Sequence, residues 1–285
     1  MKLKYIFLTL LTVSSLLFAA IFVIGGVLSA PNLKKIGTMP VALNGENVTF
    51  ISKTGKSLSG WFVRGKVEQG GILLMHGVRS NRREMIERAI FLNQSGYSVL
   101  LFDFQAHGES PGQHITFGYL ESQDAEAAFT YLEKQIEEKS IGVIGMSLGG
   151  ASAILSDVSN RANAIVIEAV YPTLEEAIQN RISMRLGKLG RYLSPLIMLQ
   201  IEPRLGFNPR LLEPIKHLSQ IETPLLIIAG TKDEHTTLSE SKRMYNEAIE
   251  PKQFWAVQGA VHEDFYRHSP LIYQEKILGF FKQYL

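Results

Sequence analysis

A short glycine-rich turn at positions 145–149, Gly-Met-Ser-Leu-Gly, follows an apolar run and precedes a run of small residues. Three classes of protein use such a turn: to bind a phosphate, to bind a dinucleotide or to present a serine nucleophile. A phosphate-binding loop requires a lysine where this chain has Ala151, and a dinucleotide loop requires a glycine spacing that is absent here. The pattern G-x-S-x-G is met in full, so the turn predicts a nucleophile at Ser147, with a plain glycine turn as the alternative.

The spacing of the two outer glycines has a physical reason. A nucleophile of this kind sits on a tight turn with strained backbone dihedrals, which lifts its hydroxyl clear of the sheet. The residues two before and two after it lie where the strand and the helix nearly touch. We therefore expect Gly145 and Gly149 to occupy positions where any side chain would clash.

A serine hydroxyl needs a base to take its proton, and in this arrangement an acid and then a histidine follow the serine in the chain. Asp233 follows the apolar run 225–229, and His262 follows the run 253–257. Both positions lie at the sheet edge that carries the serine, so we predict Asp233 as the orienting acid and His262 as the base. Glu168, directly after another predicted strand, is the rival acid, and the six other histidines are less suitably placed.

Two backbone N–H groups are predicted to bind the oxyanion of the tetrahedral intermediate. One belongs to Leu148, directly after the nucleophile, and the other belongs to the loop after the third strand. In that loop Gly77 permits the backbone turn and the Val78 N–H is the expected donor, with Arg79 as the neighbouring alternative.

The elements that position these residues alternate along the chain. Continuous apolar runs alternate with segments of helical period, which predicts an α/β fold with a doubly wound, mostly parallel sheet of eight strands. The interval 172–221 contains no predicted strand and is broken by four prolines after its first residue, so we expect a helical cap inserted after the sixth strand. The predicted strands are 48–51, 58–63, 71–75, 98–102, 141–144, 164–167, 225–229 and 253–257, and the predicted helices are 82–94, 119–135, 148–157, 239–248 and 270–284.

Over roughly residues 45–285 the chain resembles the α/β-hydrolase superfamily, and in particular the membrane-anchored bacterial serine hydrolases near the serine aminopeptidase S33 and Bem46-like groups. The motifs that carry the resemblance are His76-Gly77, the turn 103–110, the turn 145–149, Gly230–Asp233 and His262. The resemblance implies the same three catalytic residues, no cofactor and no metal. It also implies that the turn 103–110 is structural; Gln105 in that turn departs from the family, where arginine is common.

The N-terminus carries an uncharged run of 24 residues from Tyr5 to Leu28. As a helix it would be about 36 Å long, against about 30 Å for the hydrocarbon core of a bilayer. We expect a single-pass anchor or uncleaved signal at 1–30, a juxtamembrane linker at 31–44 and the hydrolase domain at 45–285. Lys2 and Lys4 favour a cytoplasmic N-terminus and an extracytoplasmic domain, although basic residues at 34 and 35 weigh against this. A cleaved signal peptide and a buried core helix are the alternatives.

Composition narrows the function classes. Apart from Lys2 and Lys4, the chain has 27 basic and 27 acidic residues, so charge gives no indication of a nucleic-acid partner. The absence of cysteine excludes disulfides, a cysteine nucleophile and thiolate metal sites.

These observations predict a serine hydrolase that cleaves a small-molecule carboxylic ester through an acyl-enzyme. A lipophilic ester is favoured because apolar residues of the cap are able to line an acyl pocket, although packing of the cap on the core explains most of them equally well. A thioesterase, a serine peptidase and a non-catalytic binding protein of the same fold are the alternatives, and the oligomeric state is left open. The cap residues concerned are Met184, Leu186, Leu189, Leu193, Leu196, Ile197, Met198, Leu199 and Phe207.

Overall fold

An eight-stranded sheet forms the centre of the protein in a computed structural model, which describes residues 2–66, 69–137 and 139–285. The spatial order of the strands is β8-β7-β6-β5-β3-β4-β2-β1. Strand β2 runs antiparallel to both of its neighbours, and all other neighbouring pairs are parallel. The strands are β1 (Glu46–Ile51), β2 (Ser57–Val63), β3 (Gly71–Met75), β4 (Ser98–Phe102), β5 (Ile141–Met146), β6 (Ala164–Glu168), β7 (Leu225–Gly230) and β8 (Lys252–Val257).

The predicted fold class is confirmed, and each predicted strand overlaps an observed one. Strands β3 to β7 are buried along their whole length, which is why they appear in the sequence as continuous apolar runs. Two hydrophobic clusters cover the two faces of the sheet.

Helices fill the connections between the strands. The α-helices are α1 (Lys2–Ser29), α2 (Ile86–Gln94), α3 (Tyr119–Gln135), α4 (Leu148–Ile154), α5 (Val158–Arg161), α6 (Leu174–Leu186), α7 (Ser194–Met198), α8 (Ile201–Leu205), α9 (Leu238–Glu247), α10 (Phe265–His268) and α11 (Pro270–Tyr284). Short 3₁₀ segments lie at Val41–Leu43, Arg82–Met85, Gly187–Tyr192, Pro209–Leu211 and Pro214–Gln220. Helices α3 and α11 have the bounds expected from the sequence, whereas the first four residues of predicted helix 82–94 form a 3₁₀ turn.

The interval between β6 and β7 consists of short helices, as expected for a cap, and its apolar residues differ in their exposure. Ile197 and Phe207 are buried in a small cluster inside the cap. Met184, Leu186, Leu196 and Leu199 are exposed instead. The side chain of Leu189 lies outside the described part of the structure.

Helix α1 is long and apolar enough to cross a membrane, a test that signal sequences also pass. Most of its side chains are exposed, but Ile21 is buried in the cluster inside the cap. The segment after the helix packs on the globular body: Asn32–Leu33 pairs in parallel with His107–Gly108, and Leu43 is buried.

Candidate active site

Ser147 occupies the sharp turn between β5 and α4. Its backbone dihedrals are φ 47° and ψ −106°, a conformation that is rare for a residue with a side chain and is retained only where the surroundings enforce it. The Ser147 N–H donates to the carbonyl of Glu168 at 2.7 Å, which fixes the turn to the end of β6. Its Oγ is buried and has no hydrogen-bond partner within the described residues.

The two outer glycines of the turn lie against backbone atoms. A Cβ on Gly145 would be 2.5 Å from the nitrogen of Gly150, and a Cβ on Gly149 would be 2.4 Å from the carbonyl oxygen of Met75 in β3. Both distances are far below normal contact, and backbone atoms in the core cannot move aside easily. These positions therefore require glycine because α4 and β3 pass so close to the turn.

Asp233 and His262 lie together beyond the ends of β7 and β8. The Asp233 Oδ2 is 2.8 Å from the Nδ1 of His262, and its Oδ1 accepts the N–H groups of His235 at 2.8 Å and Thr236 at 2.9 Å. The carboxylate is thus held by two backbone donors in the orientation that engages the imidazole. With Nδ1 bonded to the carboxylate, Nε2 is the ring nitrogen left to act as a base.

The structure joins two of the three predicted residues by a hydrogen bond. No hydrogen bond links Ser147 Oγ to the His262 ring among the described residues. Such bonds are often long without substrate and tighten when it binds. The ring of His235 lies 4.9 Å from the ring of His262, and burial, followed by the charges of His262 and Arg181, lowers the pKa of His235.

Glu168, the rival acid, has other partners. It accepts a hydrogen bond from Arg88 Nη2 at 2.6 Å and another from the hydroxyl of Tyr273, and all three side chains are fully buried. Arg88 also forms an ion pair with Asp264 at 2.7 Å, two residues after His262. The network therefore supports the loop that carries His262. Sequence reasoning missed Arg88, since it is 80 residues from Glu168 and no local pattern connects them.

The two predicted oxyanion donors lie at different places: Val78 in the loop after β3 and Leu148 at the start of α4. Neither the Val78 N–H nor the Leu148 N–H donates to another group within the described residues. The Gly77 N–H, by contrast, donates to Glu84 at 2.7 Å, and burial raises the pKa of that carboxyl. Arg79, which follows Val78, has a φ of 58° and is exposed.

The side chains of His76 and Asp103 form hydrogen bonds that hold the neighbouring loops in place. His76 Nδ1 donates to the Gly77 carbonyl at 2.7 Å and its Nε2 accepts the Phe104 N–H at 3.2 Å, while burial lowers its pKa to about 4. Asp103 accepts the Arg82 N–H at 2.7 Å and the Glu109 N–H at 2.9 Å, so its carboxylate closes the turn.

Gln105, the departure from the family, bonds to a buried acid in α3. Its backbone N–H and its side-chain amide donate to Asp124 at 2.9 and 3.2 Å. Asp124 lies on the apolar stripe of α3, and the sequence did not reveal its partner. Within the described part of the chain, no group of three or more His, Asp or Glu side chains is arranged to hold a metal ion.

The chain is similar to a family of serine hydrolases and to a solved esterase structure. A family model described as serine aminopeptidase, S33, matches residues 67–198. The structure of the Pyrococcus furiosus esterase Pf2001 matches with a TM-score of 0.73 and 25% identity, over 90% of this chain and 99% of that chain.

Two curated relatives match over most of their length. The uncharacterized protein YqkD of Bacillus subtilis (strain 168) is 23% identical over 241 residues, which is 82% of this chain and 79% of YqkD. The uncharacterized protein Rv2307c of Mycobacterium tuberculosis is 28% identical over 224 residues, which is 77% of this chain and 73% of that protein. The chain has the α/β-hydrolase fold, and these matches support a hydrolase of that type.

Proposed function

We propose that the protein is a membrane-anchored serine esterase that cleaves a lipophilic carboxylic ester through an acyl-enzyme. The observation that carries the proposal is the 2.8 Å contact between Asp233 and His262, at the same sheet edge as the strained turn that holds Ser147. The buried Oγ of Ser147, which has no hydrogen-bond partner in the described part of the chain, adds support, because such a hydroxyl is available for reaction.

In the proposed reaction Ser147 Oγ attacks the ester carbonyl while His262 Nε2 takes its proton. The Asp233 carboxylate stabilises the imidazolium, and the N–H groups of Val78 and Leu148 bind the oxyanion. The imidazolium then protonates the leaving alcohol. A water molecule, deprotonated by the same nitrogen, attacks the acyl-enzyme and releases the acid with the restored serine.

The preference for a lipophilic ester rests on three observations. The matched Pyrococcus furiosus protein is an esterase. Leu186 and Leu199 of the cap are more than half exposed, although they are large and apolar. A cavity of about 560 Å³ also lies between α1 and the cap, lined by Phe18, Phe22, Leu196 and six other residues. Leu199 also lines this cavity, so the cap presents apolar surface beside the candidate membrane helix.

The anchor is proposed to be retained rather than cleaved. The buried side chain of Ile21 packs into the cap, and the Ser29 carbonyl accepts the Ile115 N–H at 2.9 Å. Cleavage after residue 30 would remove both contacts. We also propose that the catalytic domain is extracytoplasmic; protease treatment of intact cells is expected to degrade it, and protection until lysis would contradict this orientation.

Hydrolysis of p-nitrophenyl esters of increasing chain length tests the proposal. The full-length protein is expected to prefer longer acyl chains, and Ser147→Ala is expected to lower kcat by about a million-fold. Ser152→Ala is the matched control, since Ser152 is a buried serine on α4 whose hydroxyl donates to the Leu148 carbonyl at 2.8 Å. Equal loss in both variants would contradict the assignment of Ser147, and no chain-length preference would count against an apolar acyl pocket.

A serine peptidase is the second candidate, favoured by the match of residues 67–198 to the serine aminopeptidase family model. The same three residues would cleave an amide, with His262 protonating the leaving amine. Aminoacyl p-nitroanilides assayed beside the esters and an acyl thioester distinguish the three substrate classes by their kcat/KM values. A non-catalytic binding protein would turn over none of them.

A further inference from the structure

The end of the N-terminal helix meets the loop that carries Val78. The Arg79 guanidinium donates from Nη1 to the carbonyl of Val27 at 3.1 Å and to that of Ala30 at 3.4 Å. The last carbonyls of a helix have no partner within the helix, and a cation there also interacts favourably with the helix dipole. Arg79 therefore caps the C-terminal end of α1.

The contact is reciprocal. The side-chain amide of Asn32, three residues after α1, donates to the main-chain carbonyl of Arg79. Both the side chain and the backbone of Arg79 are thus bonded to the segment 27–32. That segment is itself fixed to the body, because the Asn32 N–H donates to the Ala106 carbonyl at 2.7 Å.

Arg79 occupies a strained position in a tight turn. Its φ of 58° lies in the left-handed region, and the turn is closed by the Ser80 N–H, which donates to the Gly77 carbonyl at 3.3 Å. A residue with a side chain keeps this conformation only where surrounding contacts enforce it. The bonds to α1 are contacts of that kind.

The turn also orients the proposed oxyanion donor. The Gly77 carbonyl and the Val78 N–H belong to one planar peptide group, so fixing the carbonyl fixes the N–H. That carbonyl accepts hydrogen bonds from His76 Nδ1 at 2.7 Å and from the Ser80 N–H. A change at Arg79 that opens the turn removes the second of these bonds and leaves the peptide plane held by His76 alone.

We propose that the C-terminal end of α1 is a positioning element of the active site, connected through Arg79 and Asn32 to the turn that directs the Val78 N–H. The inference rests on the proposed function, since it gives the N-terminal helix a part in the same reaction. The helix then both anchors the protein and holds the oxyanion loop in its working geometry.

Three variants of the full-length protein in detergent micelles test the proposal by ester hydrolysis. Arg79→Ala is expected to lower kcat by about 10- to 100-fold, because small misplacements of a catalytic group have effects of this size. KM is expected to stay within about two-fold of the wild type, since the oxyanion forms only after binding. Arg79→Lys, which retains a donor for the helix carbonyls, is expected to restore most of the loss.

Arg83→Ala is the matched control. Arg83 likewise donates from Nη1 to a main-chain carbonyl, that of Ile36 at 3.1 Å, but among the described residues its side chain makes no hydrogen bond to α1. The kcat of Arg83→Ala is expected to stay close to that of the wild type. Equal kcat values for Arg79→Ala and Arg83→Ala would overturn the proposal, and so would a loss in Arg79→Ala that Arg79→Lys does not reduce.

Hydrogen exchange of the segment 76–80 gives a readout that does not depend on catalysis. The Ser80 amide is expected to exchange faster in Arg79→Ala than in the wild type, and unchanged exchange would contradict the role of Arg79. If the wild type hydrolyses no substrate, the proposed function fails, and the exchange measurement still decides whether α1 holds the turn.

Discussion

Asp124 in α3 offers a stability prediction that depends on pH. The carboxyl group is buried and accepts the backbone N–H of Gln105 at 2.9 Å. Burial raises its pKa from 3.8 to about 7, against smaller opposing effects of hydrogen bonds from Ser52 and Gln105. We expect Asp124→Asn to remove the titration, because an amide oxygen still accepts the Gln105 N–H but does not ionise.

The sign and size follow from the two pKa values. Between pH 3.8 and about 7 the folded state binds more protons at Asp124 than the unfolded state, so stability falls as the pH rises. At about 1.36 kcal/mol per pKa unit, ionisation lowers the free energy of unfolding by about 2 kcal/mol at pH 5.5 and about 4 kcal/mol at pH 8.5. The variant, relative to the wild type, is therefore expected to gain about 2 kcal/mol between these pH values.

Thermal unfolding followed by tryptophan fluorescence measures this gain. The difference in Tm between Asp124→Asn and the wild type is expected to grow by about 3 °C from pH 5.5 to pH 8.5. Asp157→Asn makes the same substitution at an exposed position and serves as the control. Parallel Tm curves for Asp124→Asn and the wild type would refute the reasoning.

Three further substitutions test packing and charge. Gly149→Ala is expected to destabilise the fold by about 3 kcal/mol, because the new Cβ would clash with the Met75 carbonyl. Gly279→Ala is the control: it lies in open space on α11 and is expected to stabilise the fold by up to about 1 kcal/mol. Equal Tm values for the two variants would contradict this reasoning. Glu168→Gln is expected to cost about 3–5 kcal/mol, since it breaks a buried ion pair with Arg88. A Tm close to that of the wild type in denaturation scans would show that the pair adds little.

The sheet was predictable because its strands are apolar on both faces. β3 and β4 have the bounds expected from the sequence, and the other strands differ by one or two residues at their ends. The inner structure of the cap was not predictable, because its prolines and short apolar clusters fit several helix boundaries. Packing against α1 and the sheet decides among them.

The candidate site was partly predictable. Strand order alone put Asp233 and His262 at one sheet edge, but it put Glu168 there as well. Two contacts separate the two acids: Asp233 is hydrogen-bonded to His262, whereas Glu168 forms an ion pair with Arg88 from a distant helix. The contact of Arg79 with the end of α1 joins residues about fifty positions apart, and no periodicity or motif encodes it.

Labelling with a fluorophosphonate, followed by mass spectrometry of the digested protein, tests the central claim most directly. The account predicts a single adduct on the peptide that contains Ser147, and loss of labelling in both Ser147→Ala and His262→Ala. An adduct on another residue, or an unlabelled wild-type protein that is folded, would contradict the assignment of Ser147 as the nucleophile.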